Sequence, residues 1–363
     1  MRLGIIGLPQ SGKTTIFNAL TRGSQPVTLS GGRIEVHTAV VDVPDERLDR
    51  LVETFHPLKT THARVTYADI AGLEGRAGDN GNGNGRGGVS GQLLNQLAQM
   101  DGFVHVVRCF ENPSVPHPIG KVDPRRDIAA MDAELALNDL IAVERRLERL
   151  AEEKKKGAGR DKLLIQREAA LFERFQQALS NDVPLRDLEI EPDEQKMLAG
   201  FGLLTLKPVL ALLNLGDGQA QPELEYPHSH SALMSLQGRL EMDLAQLPPD
   251  ETELFMHEYG ITELGLSVVI RRSYELLGLL SFFTVGEDEV RAWTVRRGAS
   301  AWEAAGVIHT DLQKGFIRAE VVKYDTLVAL GGLNESRSNG RLRLEGKDYC
   351  LSDGEIMHVR FNL

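Results

Sequence analysis

The clearest chemistry in the chain sits within fifteen residues of its start. Gly7-Leu8-Pro9-Gln10-Ser11-Gly12-Lys13-Thr14 fits the spacing G-x-x-x-x-G-K-[ST] at every fixed position. Glycines there let the backbone curl so that successive N–H groups face phosphate oxygens, and a following helix N-terminus adds positive potential. Lys13 would reach the β- and γ-phosphates, and the Thr14 hydroxyl would be a Mg2+ ligand. Asp69 ends the alternating run RVTYAD and precedes Ile70-Ala71-Gly72. A carboxylate leaving a parallel strand can hold Mg2+ through water, and Gly72 lets its backbone N–H approach the γ-phosphate. Lys13 and Gly72 are thus the catalytic candidates, and Thr14 and Asp69 the metal candidates. Further on, Asn214-Leu-Gly-Asp217 closes the apolar run PVLALL. The Asp217 carboxylate can accept hydrogen bonds from a purine, although Asn and Asp also favour turns by themselves.

These groups need strands to carry them to one edge. RLGII and the glycine after it (2–7) read as a short buried strand and 13–22 as a helix closed by Gly23. Residues 34–43, 64–69, 103–107 and 208–213 also read as strands. Strands spaced by helices or loops favour a mostly parallel α/β sheet covered on both faces. Between 127 and 179 the pattern turns helical. Ile128, Met131, Leu135 and Ala142 form one apolar stripe, and Leu164, Leu171, Phe175 and Leu179 another. KKKGAGRDK (154–162) reads as the turn of a helical hairpin. The last 85 or so residues hold five strand-like segments, with Ser300 and Glu303 spaced as a capping box, and suggest a small α+β domain.

Composition sets limits on function. The 363 residues are 42% apolar and 26% charged, which excludes wholesale disorder. No apolar run approaches the 18 or so residues of a membrane span, and no signal peptide precedes the first strand, so the expectation is a cytoplasmic protein. Cys109 and Cys350 are too few for a disulfide framework and read as buried structural thiols. His105 and His309 lack metal-ligand spacing, so a zinc site is not expected. The net charge of −11 argues against a uniformly basic nucleic-acid surface. Residues 280–363 carry 11 basic and 12 acidic side chains, so the acidity lies almost wholly ahead of them. Arg291, Arg296, Arg297, Lys314, Arg318 and Lys323 either contact RNA or guard strand edges against aggregation. Nine of the 36 glycines fall between residues 72 and 91, a stretch read as a mobile loop.

With these elements placed, the chain resembles the YchF / Obg-like ATPase family of translation-factor-class P-loop NTPases. The resemblance is most specific in FVHVVRCFENPSVPHPIGKVDPRRDI (103–128), in 276–325, and in RLRLEGKDYCLSDGEIMHVRFN (341–362). It implies an α/β P-loop domain (1–126 and 206–278), an inserted α-helical coiled-coil hairpin (127–205) and a C-terminal β-grasp TGS domain (279–363). It also implies slow hydrolysis of ATP and/or GTP with Mg2+, ribosome association, and regulation of translation or the stress response. Neither a membrane nor sequence-specific DNA is implied as a partner. By position, Gln10, Ser11, Gly12, Lys13, Thr14 and Thr15 match the phosphate loop, Asp69–Gly72 the D-x-A-G motif, and Gly238 the base-cradling element.

The sequence departs from that family at four places. Arg33 stands where the family has its switch Thr, and GDNGNGNGRGG replaces a shorter second switch. The base motif ends in Asp217 where the family usually has Glu, and Gln237-Gly238-Arg239 falls near its S-A-K. Leu73, at the position of a water-orienting Gln in Ras-like GTPases, cannot hydrogen-bond an attacking water, which implies a slow basal rate. Asp217 leans towards guanine while the resemblance leans towards ATP. A nucleotide-binding module without turnover is the alternative, and a small-molecule P-loop kinase fits less well because no second-substrate lid is evident.

Overall fold

The computed structural model describes residues 1–23, 36–70, 91–156, 161–198, 200–259 and 261–362. They pack as two compact units, Met1–Ala39 with Thr66–Leu266, and Val40–Val65 with Ser267–Leu363. The chain opens with β1 (Arg2–Ile6) and α1 (Lys13–Thr21). β2 (Val36–Asp42), α2 (Glu46–Phe55), β3 (Lys59–Thr61) and β4 (Arg64–Ile70) follow, then α3 (Gly91–Ala98) and β5 (Gly102–Arg108). The long helices α4 (Pro124–Lys156) and α5 (Lys162–Ser180) and the short α6 (Pro192–Met197) lead to β6 (Val209–Asn214). β7 (Ser231–Leu236), α7 (Gly238–Ala245), α8 (Pro249–Glu258) and α9 (Gly265–Leu276) complete this stretch.

The sheet of the first unit runs β2-β4-β1-β5-β6-β7. Its pairs from β4 through β7 are all parallel. Every residue of β5 and β6 is buried, as strands covered on both faces require. Chain order reverses at β1, whose neighbours are β4 and β5, and a reversal of this kind opens a crevice at the strands' C-terminal ends. Register brings Ile5 beside Asp69, Ile6 beside His105, and Arg108 beside Asn214. One face of this sheet buries Ile6, Ala68, Ile70 and Phe103 against Leu93 and Leu97 of α3 and Met131 and Leu135 of α4. The first turns of the helical hairpin are therefore part of the sheet's own core.

Higher in the hairpin, Val143 of α4 packs with Leu171, Phe172, Phe175 and Leu179 of α5. Two residues of the expected stripes point outward: Ala142 and Leu164 are exposed, and Val143 and Ile165 take the inward places. The inward row on α5 is Ile165, Glu168, Phe172, Phe175 and Leu179, at steps of three and four, which a seven-residue step from Leu171 back to Leu164 misses. Glu168 is tolerated in that row because Arg146 donates to it at 2.6 Å.

In the second unit β8 (Leu279–Thr284) and β9 (Glu289–Arg296) form an antiparallel hairpin. α10 (Ala301–Ile308), α11 (Thr310–Lys314), β10 (Phe316–Lys323), α12 (Tyr324–Leu330), α13 (Leu333–Ser338), β11 (Arg343–Glu345) and β12 (Glu355–Phe361) follow. The mixed sheet runs β11-β10-β12-β8-β9-β3. Ala301, Ala304 and Ala305 of α10 lie on it with Phe282, Val321 and Met357. Ser300 caps α10 in the expected box, its backbone N–H donating to Glu303 at 2.7 Å.

The edge strand β3 comes from far upstream, pairing Lys59, Thr60 and Thr61 in parallel with Glu289, Val290 and Arg291. Residues 40–65, grouped by sequence with the nucleotide domain, thus pack with the C-terminal unit. Cys350 is exposed, contrary to expectation, because it follows a surface turn. Cys109 is buried, and burial pushes its thiol up to about 12, which makes it unreactive. No helix among the described residues is long and apolar enough to cross a membrane.

The chain returns from the hairpin to β6 through one buried carboxylate. Asp139 of α4 accepts from the backbone N–H groups of Leu204 at 2.8 Å and Thr205 at 2.7 Å, and from the Thr205 hydroxyl at 2.6 Å. Burial raises its pKa against the pull of those donors. Asp139→Ala would leave three buried donors unsatisfied, and we expect a loss of about 2–5 kcal/mol in urea unfolding. A midpoint equal to wild type would show that the turn does not depend on this carboxylate.

Candidate nucleotide site

The phosphate loop follows β1 directly, and its shape depends on residues held at positive φ. Gly7 sits at φ 151°, Gln10 at 63° and Gly12 at 95°. A Cβ on Gly7 would strike the Val106 carbonyl, and one on Gly12 the Asn214 amide, so both positions demand glycine. The Ser11 N–H donates to Leu8 O at 3.3 Å, and Lys13 Nζ donates to Gly7 O and Leu8 O, each at 2.9 Å. The loop's backbone curl is thus held by its own hydrogen bonds, with the lysine folded over its own carbonyls. Gly12 is the N-cap of α1, and no acidic side chain occupies the helix's first turn. The positive end of the helix is left for an anion. The helix ends on Arg22, itself left-handed at φ 48°, one residue ahead of the expected Gly23.

Thr14 and Asp69, 55 positions apart in the chain, meet beside the loop. Thr14 Oγ1 donates to Asp69 Oδ2 at 2.9 Å, joining the first turn of α1 to the end of β4. Asp69 is buried, and burial raises its pKa although Thr14 and the Lys13 charge oppose this. Its Oδ1 has no hydrogen-bond partner among the described residues, nor do Ser11 Oγ or Gln10 Oε1. Unsatisfied buried acceptors of this kind mark where a ligand or its waters belong. Thr14 and Asp69 could therefore hold a divalent cation together with phosphate oxygens and water. Among the described residues no cluster of three or more His, Cys, Asp or Glu is poised to bind a metal, and a cation held this way needs none. Thr15 is half-buried on the same turn.

Asn214 ties the motifs together. It is buried, its Nδ2 donates to Ser11 O at 2.9 Å, and its Oδ1 accepts from the Gly238 N–H at 3.1 Å. Gly238 begins α7, where a Cβ would lie 2.6 Å from Ile16 Cδ1 and 2.7 Å from Asn214 Oδ1. Its N–H is thus committed to Asn214, and the residue spaces α7 against α1. Asp217 is exposed on the turn after β6. Gln219 braces that turn by accepting from the Gly216 N–H and donating to Cys109 O, both at 2.8 Å. Gly72, Leu73, Arg33 and the glycine tract through Ser90 lie outside the described residues.

Sequence reasoning passed over two buried groups, one beside the phosphate loop and one in the segment after β5. Arg108 ends β5 and points its guanidinium at three backbone carbonyls, with only its place in an apolar run to signal it. His117 donates from Nε2 to Asp127 Oδ2 at 2.9 Å while its Nδ1 accepts from the Ile119 N–H, which fastens the loop after β5 to the start of α4. His105 is wholly buried, and burial pushes its pKa down to about 3, so the ring is neutral. His309 only caps α11. Because Asn214 acts through the loop and not the base, Asn214→Ala should weaken ATP and GTP binding by the same factor, at least about tenfold. Titration calorimetry reads this directly, and unequal losses would place Asn214 at the purine instead.

Two family models match the chain. Residues 2–146 match one described as a 50S ribosome-binding GTPase, and residues 279–362 match YchF-GTPase_C, described as a protein of unknown function (DUF933). The ribosome-binding ATPase YchF of Bacillus subtilis (strain 168) is 38% identical over 372 residues, covering 99% of each chain. That of Haemophilus ducreyi is 40% identical over 370 residues, covering 100% of this chain and 99% of the relative. The solved structure of the Schizosaccharomyces pombe YchF GTPase superposes with a TM-score of 0.83 at 31% identity, covering 99% of this chain and 97% of that one. In sequence along its whole length and in fold, the chain belongs to the YchF family.

Proposed function

We propose that this chain is a slow purine-nucleotide triphosphatase that acts on the ribosome as a nucleotide-dependent regulator of translation. The observation that carries the reading is the convergence of Lys13, Thr14 and Asp69 at the switch point of the parallel sheet, with Asp69 Oδ1 buried and unpaired. Its relatives' name, ribosome-binding ATPase, supports the ribosome as partner and ATP as substrate.

Binding exchanges one set of hydrogen bonds for another. Lys13 leaves Gly7 O and Leu8 O for the β- and γ-phosphates, and the N–H groups of Gln10 to Thr15 turn to phosphate oxygens. The Thr14 hydroxyl and Asp69 would hold Mg2+, which would supply charge neutralisation at the β- and γ-phosphates. The Gly72 N–H is our candidate donor to the γ-phosphate. Leu73 offers the attacking water no hydrogen bond, so turnover is slow until a partner completes the site. Ordering of residues 23–37 and 72–91 around the γ-phosphate is the proposed switch. The three-part division into nucleotide domain, helical hairpin and C-terminal domain is the proposed division of labour. In it, Arg296 and Arg297 of the C-terminal domain are candidate contacts to ribosomal RNA.

Phosphate release at high enzyme concentration with Mg2+ tests the reading. Lys13→Ala should lower release at least about 100-fold. Binding without any release would leave a nucleotide-binding module. The base is decided separately. Guanine offers N1 and N2 donors, so Asp217 can accept twice, whereas adenine offers only N6–H. Calorimetric titration of wild type and Asp217→Ala with both nucleotides measures the carboxylate's share. Loss for GTP alone assigns guanine reading to it; equal small losses place discrimination elsewhere.

A further inference from the structure

Arg108 presents an unusual arrangement beside the phosphate loop. It is the largest fully buried side chain in the described structure. Its Nε donates to Phe110 O at 3.0 Å, its Nη2 to Val115 O at 2.7 Å, and its Nη1 reaches Gln10 O at 3.5 Å. The guanidinium also lies 4.5 Å from the centre of the Phe110 ring. Every one of these partners is neutral. Among the described residues no carboxylate pairs with it; Glu111 and Asp127 act on it only from a distance, and Asp127 is already engaged by Arg126 and His117.

A buried charge without a counter-ion is costly, and a neutral donor such as Gln could serve backbone carbonyls without that cost. Burial accordingly depresses the Arg108 pKa, although the group stays charged. What the charge is for follows from its position. Register sets Arg108 against Asn214, and Nη1 faces Gln10, the left-handed residue at the crown of the phosphate loop.

We propose that Arg108 is a positioning cation of the nucleotide site, orienting the Gln10 peptide and finding its missing counter-charge in the bound polyphosphate. This inference rests on the nucleotide reading above and adds a second cation to Lys13, one that acts from behind the loop and not by direct contact. The phosphates lower the cost of burying Arg108, and by linkage Arg108 tightens the phosphates.

The experiment is titration of the full chain with AMP, ADP and ATP in EDTA, where phosphate charge is not neutralised by metal. The proteins compared are wild type, Arg108→Gln and Arg108→Lys. Arg108→Gln should lose affinity in a graded way, less than about threefold for AMP and rising to at least about 30-fold for ATP. Arg108→Lys keeps the charge without the fork and should stay within about fivefold of wild type for all three, with a lower melting temperature. Equal losses for the three nucleotides in either variant would overturn the proposal and leave Arg108 as a brace of the loop after β5. An Arg108→Gln chain that fails to fold would overturn it as well, because the guanidinium would then be needed before any phosphate arrives. If wild type binds none of the three even with Mg2+ restored, the nucleotide reading itself is what fails.

Discussion

One buried carboxamide, that of Asn214, spans the distance between the phosphate loop and the turn that starts α7, and the geometry of the site follows from it. Nδ2 fixes the Ser11 carbonyl and Oδ1 fixes the Gly238 N–H, so both ends of a short side chain are used. The constraint reaches outward as a demand for glycine on either side. Gly12 must be bare because the Asn214 amide stands against it, and Gly238 must be bare because Ile16 and Asn214 close on it from two directions. β6 presents Asn214 at this height because its register with β5 sets Asn214 beside Arg108. A slip of one residue would turn the side chain to the other face of the sheet.

Around this clamp the loop is balanced between two sets of partners. Lys13 and the Ser11 N–H are satisfied by the carbonyls of Gly7 and Leu8, so the loop keeps its curl by its own hydrogen bonds. Asp69 Oδ1, Ser11 Oγ and Gln10 Oε1 have no such substitute within the described structure. Each buried polar atom left this way costs about 1–3 kcal/mol. The affinity of a phosphate ligand is therefore a difference: its bonds to Lys13 replace existing ones, while relief at the unpaired atoms is new. Selectivity for a polyanion rests on the second contribution and on the helix end that no acidic side chain neutralises.

What could be read from the sequence divides by the range of the interaction. The phosphate loop, Asp69 and Asn214 announce themselves because their chemistry needs fixed residue types at fixed spacing beside a strand or a helix. The capping box at Ser300 is legible for the same reason. β3 is not, since three polar residues become a strand only by pairing with β9, more than two hundred positions later in the chain. Ala142 and Leu164 misled because a seven-residue step approximates the helix repeat but drifts across its face. Arg108 and the His117–Asp127 pair stayed silent because neither has a local pattern. Their roles come from what the fold sets beside them.

The same contrast explains how a long helical excursion fits between adjacent strands without disturbing the site. β5 and β6 pair in parallel over six residues, so the chain leaving Arg108 at one end of the pair must cross back to Val209 at the other end, beside Phe103. Closing a long loop costs little more than closing a moderate one, about 0.6 kcal/mol per doubling. The real requirement is that both ends be fixed. At the exit His117 and Asp127 lock the first turn of α4, and Met131 and Leu135 bury it against the sheet. At the return Asp139 holds Leu204 and Thr205, and Lys207 donates to the carbonyls of Leu97, Ala98 and Met100 at the end of α3. With both ends tied to the sheet, the far end of the hairpin can vary in length and sequence while Arg108 and Asn214 keep their register. Those ties, with the Tyr226 hydroxyl that donates to Asp132 of α4 at 2.9 Å, join the hairpin to the strands that carry the phosphate loop.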